Sequence, residues 1–349
     1  MSPPLKAPRS GRAGRNGLTI HDVARAAEVS IGTASKALNG TGHLRQETRS
    51  KVLEAARALG YRPNDLAQAL HRARSMTVGI ISNDSFGRFT LPIVEALEQQ
   101  LADQRIAIFM CNATDDPERE RQHIDQLIGK RIDGLVITGR RADERAPVGP
   151  LPPGLPVIYV YSQPNDHSAP SLVPDDEGGA RLATRHLLSL GRRRIAHVTG
   201  PERFEAVRLR REGYRDTLAE AGLEPRADDY LSGPWTEQWG REAVAALFDR
   251  RGSVPDAVFC GNDIIARGVL DALRERGRAV PEDVAVVGFD NWSVMAEGTR
   301  PPLTSVDMNL SELGHEAGRL LLSMISGDRV PAGTRRLPCT LVVRASTRA

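Results

Sequence analysis

From residue 76 onward, short apolar runs alternate with stretches whose apolar positions recur three and four residues apart. The runs are VGII (78–81), IAIFM (106–110), GLVIT (134–138), PVIYV (156–160), RIAHVT (194–199), DAVFC (256–260) and VAVVGF (284–289). Between them, 91–102, 117–129, 178–190, 208–221, 238–251 and 263–277 carry the period of helices with one buried face. A run at 304–306 followed by a helix at 309–326 continues the rhythm. Strands separated by helices in this way pair in parallel, with helices covering both faces. The pattern predicts a doubly wound α/β core, and its length accommodates two such sheets.

The pattern changes before residue 76. Residues 18–62 carry two short helix patterns across a tight turn, then a longer helix that ends at YRPN. Thr19 with Asp22 three residues on forms a capping-box start, and Ser30 is a good N-cap for the second helix. Asn39-Gly40 punctuates its end. Val23, Ala26 and Ala27, then Ala34, Ala37 and Leu38, supply the inward faces. This spacing predicts a helix-turn-helix, whose second helix enters a DNA major groove with its N-terminal residues at the base edges. Those residues are Ile31, Gly32, Thr33 and Lys36. Residues 1–17, rich in Pro, Gly, Ser and Arg, cannot bury a core and are expected to form a disordered tail.

Charge supports the nucleic-acid reading. The whole chain holds 47 Lys and Arg against 44 Asp and Glu, a net of +3. Residues 1–74 hold 13 of the bases and 5 of the acids, a net of +8, so 75–349 carry −5. A basic head on an acidic body is what phosphate neutralisation with counterion release favours. Cys111, Cys260 and Cys339 are widely spaced and odd in number, which argues for reduced thiols over a disulfide framework or metal site. No metal-ligand spacing stands out, and no cofactor is expected. The chain has no N-terminal apolar h-region and no apolar run long enough to span a membrane, so a cytoplasmic protein is expected.

The segments TIHDVARAAEVSIGTASKALNG and ETRSKVLEAARALGYRPNDLAQAL resemble the headpiece of LacI/GalR-family transcriptional repressors. RHLLSLGRRRIAHVTGP, FCGNDIIARGVLDALRERGRAVPEDVAVVGFDN and RPPLTSVDMNLSELGHEAGRLLL are similar to that family's periplasmic-binding-protein-like core. The resemblance implies an all-α DNA-binding headpiece followed by two doubly wound subdomains with three crossovers. It divides the core at about 76–173 with 304–331, and 174–303 with 332–349. It also implies a hinge helix within 63–75 that lies in the minor groove beside its twin. Asn64 would cap that helix and Leu70 would wedge between base pairs, while Arg72 and Arg74 meet phosphates.

Departures from the family pattern narrow the base contacts. Lys36 stands where Arg is usual and offers a point charge in place of a fork. Gly32 has no side chain, and Ile31 offers apolar contact only. Glu28 occupies a turn position where Gly is common, at a cost of about 1 kcal/mol if φ is positive there. Arg45 replaces a common Ser cap on the third helix.

A two-subdomain core of this kind buries a small ligand at the carboxyl ends of its strands. Residues just after strands are Asp84, Phe86 and Phe89, then Tyr161, Arg210, Trp235, Asn262, Asp263 and Asp290. Arg210 and Asp290 suit hydroxyl pairs, and Trp235 and Phe89 suit the C–H faces of a sugar ring. Alternatively, Arg210 and Asp290 form a structural ion pair. An enzyme is disfavoured because no G-x-G-x-x-G opens a helix after a strand, Gly129-Lys130 is followed by Arg, and no G-x-S-x-G elbow is present. The reading is a homodimeric repressor of a pseudo-palindromic operator, controlled by a sugar-like effector, with helix 91–102 at the dimer surface. A purine-type co-repressor-dependent regulator and an activator are the alternatives.

Overall fold

A computed structural model of the chain describes residues 18–61, 74–85, 87–249 and 254–348. They fall into two units, one ending at Ser75 and one beginning at Met76. In the first, α1 (Ile20–Ala26), α2 (Ile31–Leu38) and α3 (Gln46–Leu59) pack around Val23, Ala24, Ala27, Ala34, Ala37, Val52 and Ala56. Ala24 takes the buried place that spacing alone gives to Ala26, which is exposed. Val23, Ala24 and Ala27 stand at i, i+1 and i+4, one face of the helix, and Ala26 falls off that face. The hinge segment, with Asn64, Leu70 and Arg72, lies outside the described residues, as does Phe86.

The second unit holds two six-stranded sheets. The first has the order β13-β7-β5-β3-β1-β2, with β1 Thr77–Ser82, β2 Ala107–Asn112, β3 Gly134–Thr138, β5 Val157–Val160, β7 Pro170–Pro174 and β13 Gly333–Leu337. All its pairings are parallel, Ile80 lying opposite both Met110 and Val136. The second has the order β14-β12-β11-β10-β8-β9. Its strands are β8 Ile195–Thr199, β9 Tyr230–Ser232, β10 Ala257–Cys260, β11 Ala285–Phe289, β12 Thr304–Asp307 and β14 Thr340–Val342. Only β14 among them runs antiparallel. Every residue of β3, β8 and β11 is buried, as strands covered on both faces require.

This topology corrects the division of the core. Strand 304–307 belongs to the second sheet, and strand 333–337 belongs to the first. The chain therefore crosses near 174–175, 308–309 and 338–339, in place of 304 and 331. Helix Leu310–Ser326 packs on helix Thr90–Ala102, where a side chain on Gly314 would come within 2.2 Å of the Ile93 carbonyl oxygen. β7 and β13 escape the apolar pattern because one is bounded by prolines and the other, GTRRL, is a polar edge strand.

His197, inside β8, is fully buried and stacks on Phe259 with ring centroids 4.5 Å apart. Its Nδ1–H donates to the Phe259 carbonyl at 2.9 Å. Burial holds its pKa down to about 3, whereas an unfolded histidine titrates near 6.5. The unfolded chain thus takes up a proton that the native core refuses, and stability falls as pH drops from about 6.5 towards 3. His197→Phe should flatten that part of the stability–pH curve, measured by urea unfolding of the core at pH 7 and pH 5.

Candidate functional site

The proposed base-reading face is built by capping. The Asp22 carboxylate accepts from the Thr19 N–H at 3.0 Å and from its hydroxyl at 2.8 Å. Ser30 Oγ accepts from the Thr33 N–H at 3.1 Å, satisfying a free donor at the start of α2. Glu28 sits in the turn with φ of 53°, the left-handed region expected there, and its carboxylate accepts from Lys51 at 2.9 Å. That lysine holds the Glu28 pKa below its ordinary value. Arg45 supplies no side-chain cap to α3. Ile31 is 45% exposed, Gly32 and Lys36 are exposed, and Thr33 is half-buried. The structure therefore brings Ile31, Gly32 and Lys36 to the open end and face of one helix, while Ser30 and Thr19 act on the backbone.

In the core, loops after β1, β5, β10, β11 and β12 converge on one buried charge cluster. Arg210, on helix Glu205–Glu220, is 3% exposed. Its Nε donates to Asp176 Oδ1 at 2.8 Å, and a terminal nitrogen donates to the Gly261 carbonyl. The guanidinium lies 3.6 Å from the centroid of Phe289. Asp290 is 3.8 Å from Arg210 and makes its closer ion pair with Arg88. The structural alternative thus holds in part: Arg210 is paired, but mainly with Asp176, a residue the sequence reading did not include.

Burial pushes the Asp290 pKa above the usual carboxylate range; Arg88 and Arg210 pull it down, and Asp176 pushes it up. Asp263 is raised too, first by burial and then by Asp290. Its carboxylate accepts from the Trp292 N–H at 2.7 Å and from Ser305. Asp290 itself has φ of 98°, and Tyr161 has φ of 54°. Backbone strain of this kind concentrates at functional sites.

The other candidates separate into roles. Phe89 and Tyr161 stack with centroids 4.9 Å apart, and the Tyr161 hydroxyl approaches Met308 Sδ at 3.8 Å. Burial pushes the Tyr161 phenol well up, so it stays neutral. Asp84 accepts from the Phe89 and Thr90 N–H groups at 2.7 and 3.0 Å. Asn262 caps helix Asp263–Glu275 by accepting from the Ile265 N–H at 2.9 Å. Asp84 and Asn262 thus hold the loops that carry Phe89 and Gly261. Trp235 belongs to a second group, lying over Gly200 and stacked on Phe204 at 6.4 Å. Trp239 is held by its indole N–H to the Thr199 carbonyl at 3.0 Å.

Arg88, Asp176 and Met308 complete the cluster without having stood out in the sequence. The signal for Arg88 was its place between aromatics in FGRFT, directly after a strand. A polar recess of about 220 Å³ opens at the carboxyl ends of the first sheet, lined in part by Asn83, Asp116, Gly139, Arg141, Asp143 and Ser162. The recess is lined by the first subdomain, and its Asp143 accepts from the Glu205 N–H of the second at 2.7 Å, while Gln163 donates to the Glu205 carboxylate at 2.8 Å. Glu205 thus ties the two subdomains together beside the recess.

Residues 19–64 match the family described as bacterial regulatory proteins, lacI family, and residues 184–347 match the periplasmic binding protein-like domain. Catabolite control protein A of Priestia megaterium is 32% identical over 333 residues, covering 95% of this chain and 99% of its own. The chain belongs to the lacI family. This lacI-family transcriptional regulator is also 31% identical to the HTH-type transcriptional repressor CytR of Escherichia coli K12, over 95% of its length and 96% of CytR. Among solved structures it matches a lac repressor dimer bound to operator and the anti-inducer ONPF, with TM-score 0.75, 28% identity, and 95% and 99% of the two chains covered. It also matches a CelR–cellobiose complex with TM-score 0.64, 32% identity, and 95% and 100% covered. No described helix is long and apolar enough to cross a membrane.

Removing Arg210 leaves Asp176 buried beside Asp290 without its main cation, which costs about 3–5 kcal/mol. Arg210→Met should therefore lower the urea midpoint of core unfolding strongly, in addition to any loss of ligand response.

Proposed function

We propose that this protein is a homodimeric repressor that binds a pseudo-palindromic operator and is released from it by a sugar-like effector in the core cleft. The observation that carries this reading is the buried Arg210–Asp290 site with the Phe89–Tyr161 stack beside it. A carboxylate and a guanidinium that can each fork to adjacent hydroxyls, next to aromatic faces, suit a polyol ring. The family and its matched relatives, which are transcriptional regulators, support a regulatory role in place of an enzymatic one. The CelR–cellobiose match supports a sugar over a purine as the effector class. Acting on DNA, the protein would work in the cytoplasm.

Base reading is assigned to Ile31, Gly32, Thr33 and Lys36, with Leu70 as a minor-groove wedge and Asn64 as the hinge cap. Two-fold symmetry of the dimer requires two-fold symmetry in its site. Helix Thr90–Ala102 buries Ile93, Ala96, Leu97 and Leu101 in its own subdomain. What it offers a partner is the opposite face, where Leu91 is exposed, together with Phe109 and Met110 on the neighbouring edge strand β2. Light scattering of the full chain without DNA should give a dimer mass at micromolar concentration, and a monomer would contradict this assignment.

The effector acts by preferring one arrangement of the two subdomains, and a coupling of about 1–3 kcal/mol suffices for 5- to 150-fold control. Operator affinity titrated against a panel of mono- and disaccharides should weaken within that range for the cognate sugar. A panel in which affinity rises would mark a co-repressor. Lys36→Ala should cost about 1–3 kcal/mol in specific binding while non-specific DNA binding is largely retained. Equal losses on operator and random DNA would remove Lys36 from base reading.

A further inference from the structure

Among the described residues, Arg88 reaches from one subdomain into the other in the way a bound guest would. It stands on the loop between β1 and helix Thr90–Ala102, in the first subdomain. Its partner Asp290 follows β11, in the second. The guanidinium lies 4.7 Å from the centroid of Phe89 on its own side and 4.7 Å from that of Trp292 on the other. A flat cation between two aromatic faces, ion-paired at its edge to a buried carboxylate, is how such a site holds a planar guest. The side chains of Arg88 and Asp290 are only 13% and 6% exposed, so the pair is largely out of water.

Two features make this contact a latch. The Asp84 carboxylate ties down the N–H groups of Phe89 and Thr90, which fixes where Arg88 leaves the backbone. Trp292 is fixed in turn by its own N–H on Asp263 at 2.7 Å. The two jaws are therefore rigid, and Arg88 is the long side chain that spans them. Its Nε is also buried without a hydrogen-bond partner among the described residues. An unsatisfied buried donor weakens the closed arrangement and leaves it able to yield.

We propose that Arg88 fills part of the cleft itself and holds the two subdomains together through Asp290 and Trp292. This latch stands whether the effector proves to be a sugar or not.

The test is amide hydrogen exchange on the ligand-free full-length protein, followed in peptides covering 84–90 and 289–293. Arg88→Ala should raise exchange in both segments about five-fold or more, because opening the latch exposes the two jaws together. Arg88→Lys keeps the charge but loses the flat stack, and should give an intermediate rise in both. Should Arg88→Ala fail to fold, Trp292→Leu removes one stacking face, keeps the ion pair, and should give a smaller rise in the same two segments. Exchange unchanged in 289–293 for whichever of Arg88→Ala or Trp292→Leu folds would overturn the proposal, as would a rise confined to 84–90. A sugar panel that leaves operator affinity unaltered would contradict the effector reading and leave this result untouched.

Discussion

Burying charge is the constraint around which the core is organised. Four ionised or ionisable side chains, Arg88, Asp176, Arg210 and Asp290, meet where the two subdomains face each other. Out of water each would be costly alone, by several kcal/mol, and is tolerable only when paired and hydrogen-bonded. The fold supplies those partners from distant parts of the chain. Asp176 opens the helix that follows the first crossover, Arg210 lies on the next helix, and the loops after β1 and β11 bring Arg88 and Asp290. The Gly261 carbonyl and the Phe289 ring close the remaining sides of Arg210. Because the partners come from both subdomains, the electrostatics of the cleft and the relative placement of the subdomains are one problem.

That coupling gives a physical route from a small ligand to a change in arrangement. A ligand that forks onto Asp290 must displace or rearrange its contact with Arg88, which spans the cleft. The Glu205 carboxylate spans it a second time, accepting from Gln163 and from Arg336, at 2.8 Å each. Both spanning contacts involve long arginine or glutamine side chains meeting carboxylates, which can exchange partners without rebuilding either sheet. The central strands β3, β8 and β11 are fully buried and fixed by parallel pairing. Rigid bodies joined by three crossovers and a few exchangeable polar contacts are suited to two discrete arrangements.

Most of the architecture is written in the periodicity. Each long apolar run becomes a strand, all of them central except IAIFM, which forms the edge strand β2, and each amphipathic stretch becomes a helix with its apolar face inward. What escapes the pattern does so for local reasons. PSLVP at 170–174 is bracketed by prolines, and GTRRL at 333–337 is a polar edge; missing them moves the crossovers by a few residues. The turn at Glu28 is legible, because a family position that favours Gly points to positive φ, and the backbone there adopts it. The cleft is legible only in outline. Position after a strand points to Phe89, Tyr161 and Asp290, and the family resemblance to Arg210, side chains that lie close together in the fold; position also points to Asp84 and Asn262, whose oxygens are engaged by backbone N–H groups of adjacent helices. Asp176 is hidden because it belongs to a helix start, 34 residues from the arginine it neutralises.

Arg88 and Asp290 are parts of a single network that spans the cleft. The most direct measurement is a double-mutant cycle on core unfolding of the full chain, with Arg88→Met, Asp290→Asn and the pair. A network predicts strong non-additivity, a coupling of about 1.5–3 kcal/mol between the two sites. Effects that add to within about 0.5 kcal/mol would contradict it and reduce the pair to neighbours that happen to touch.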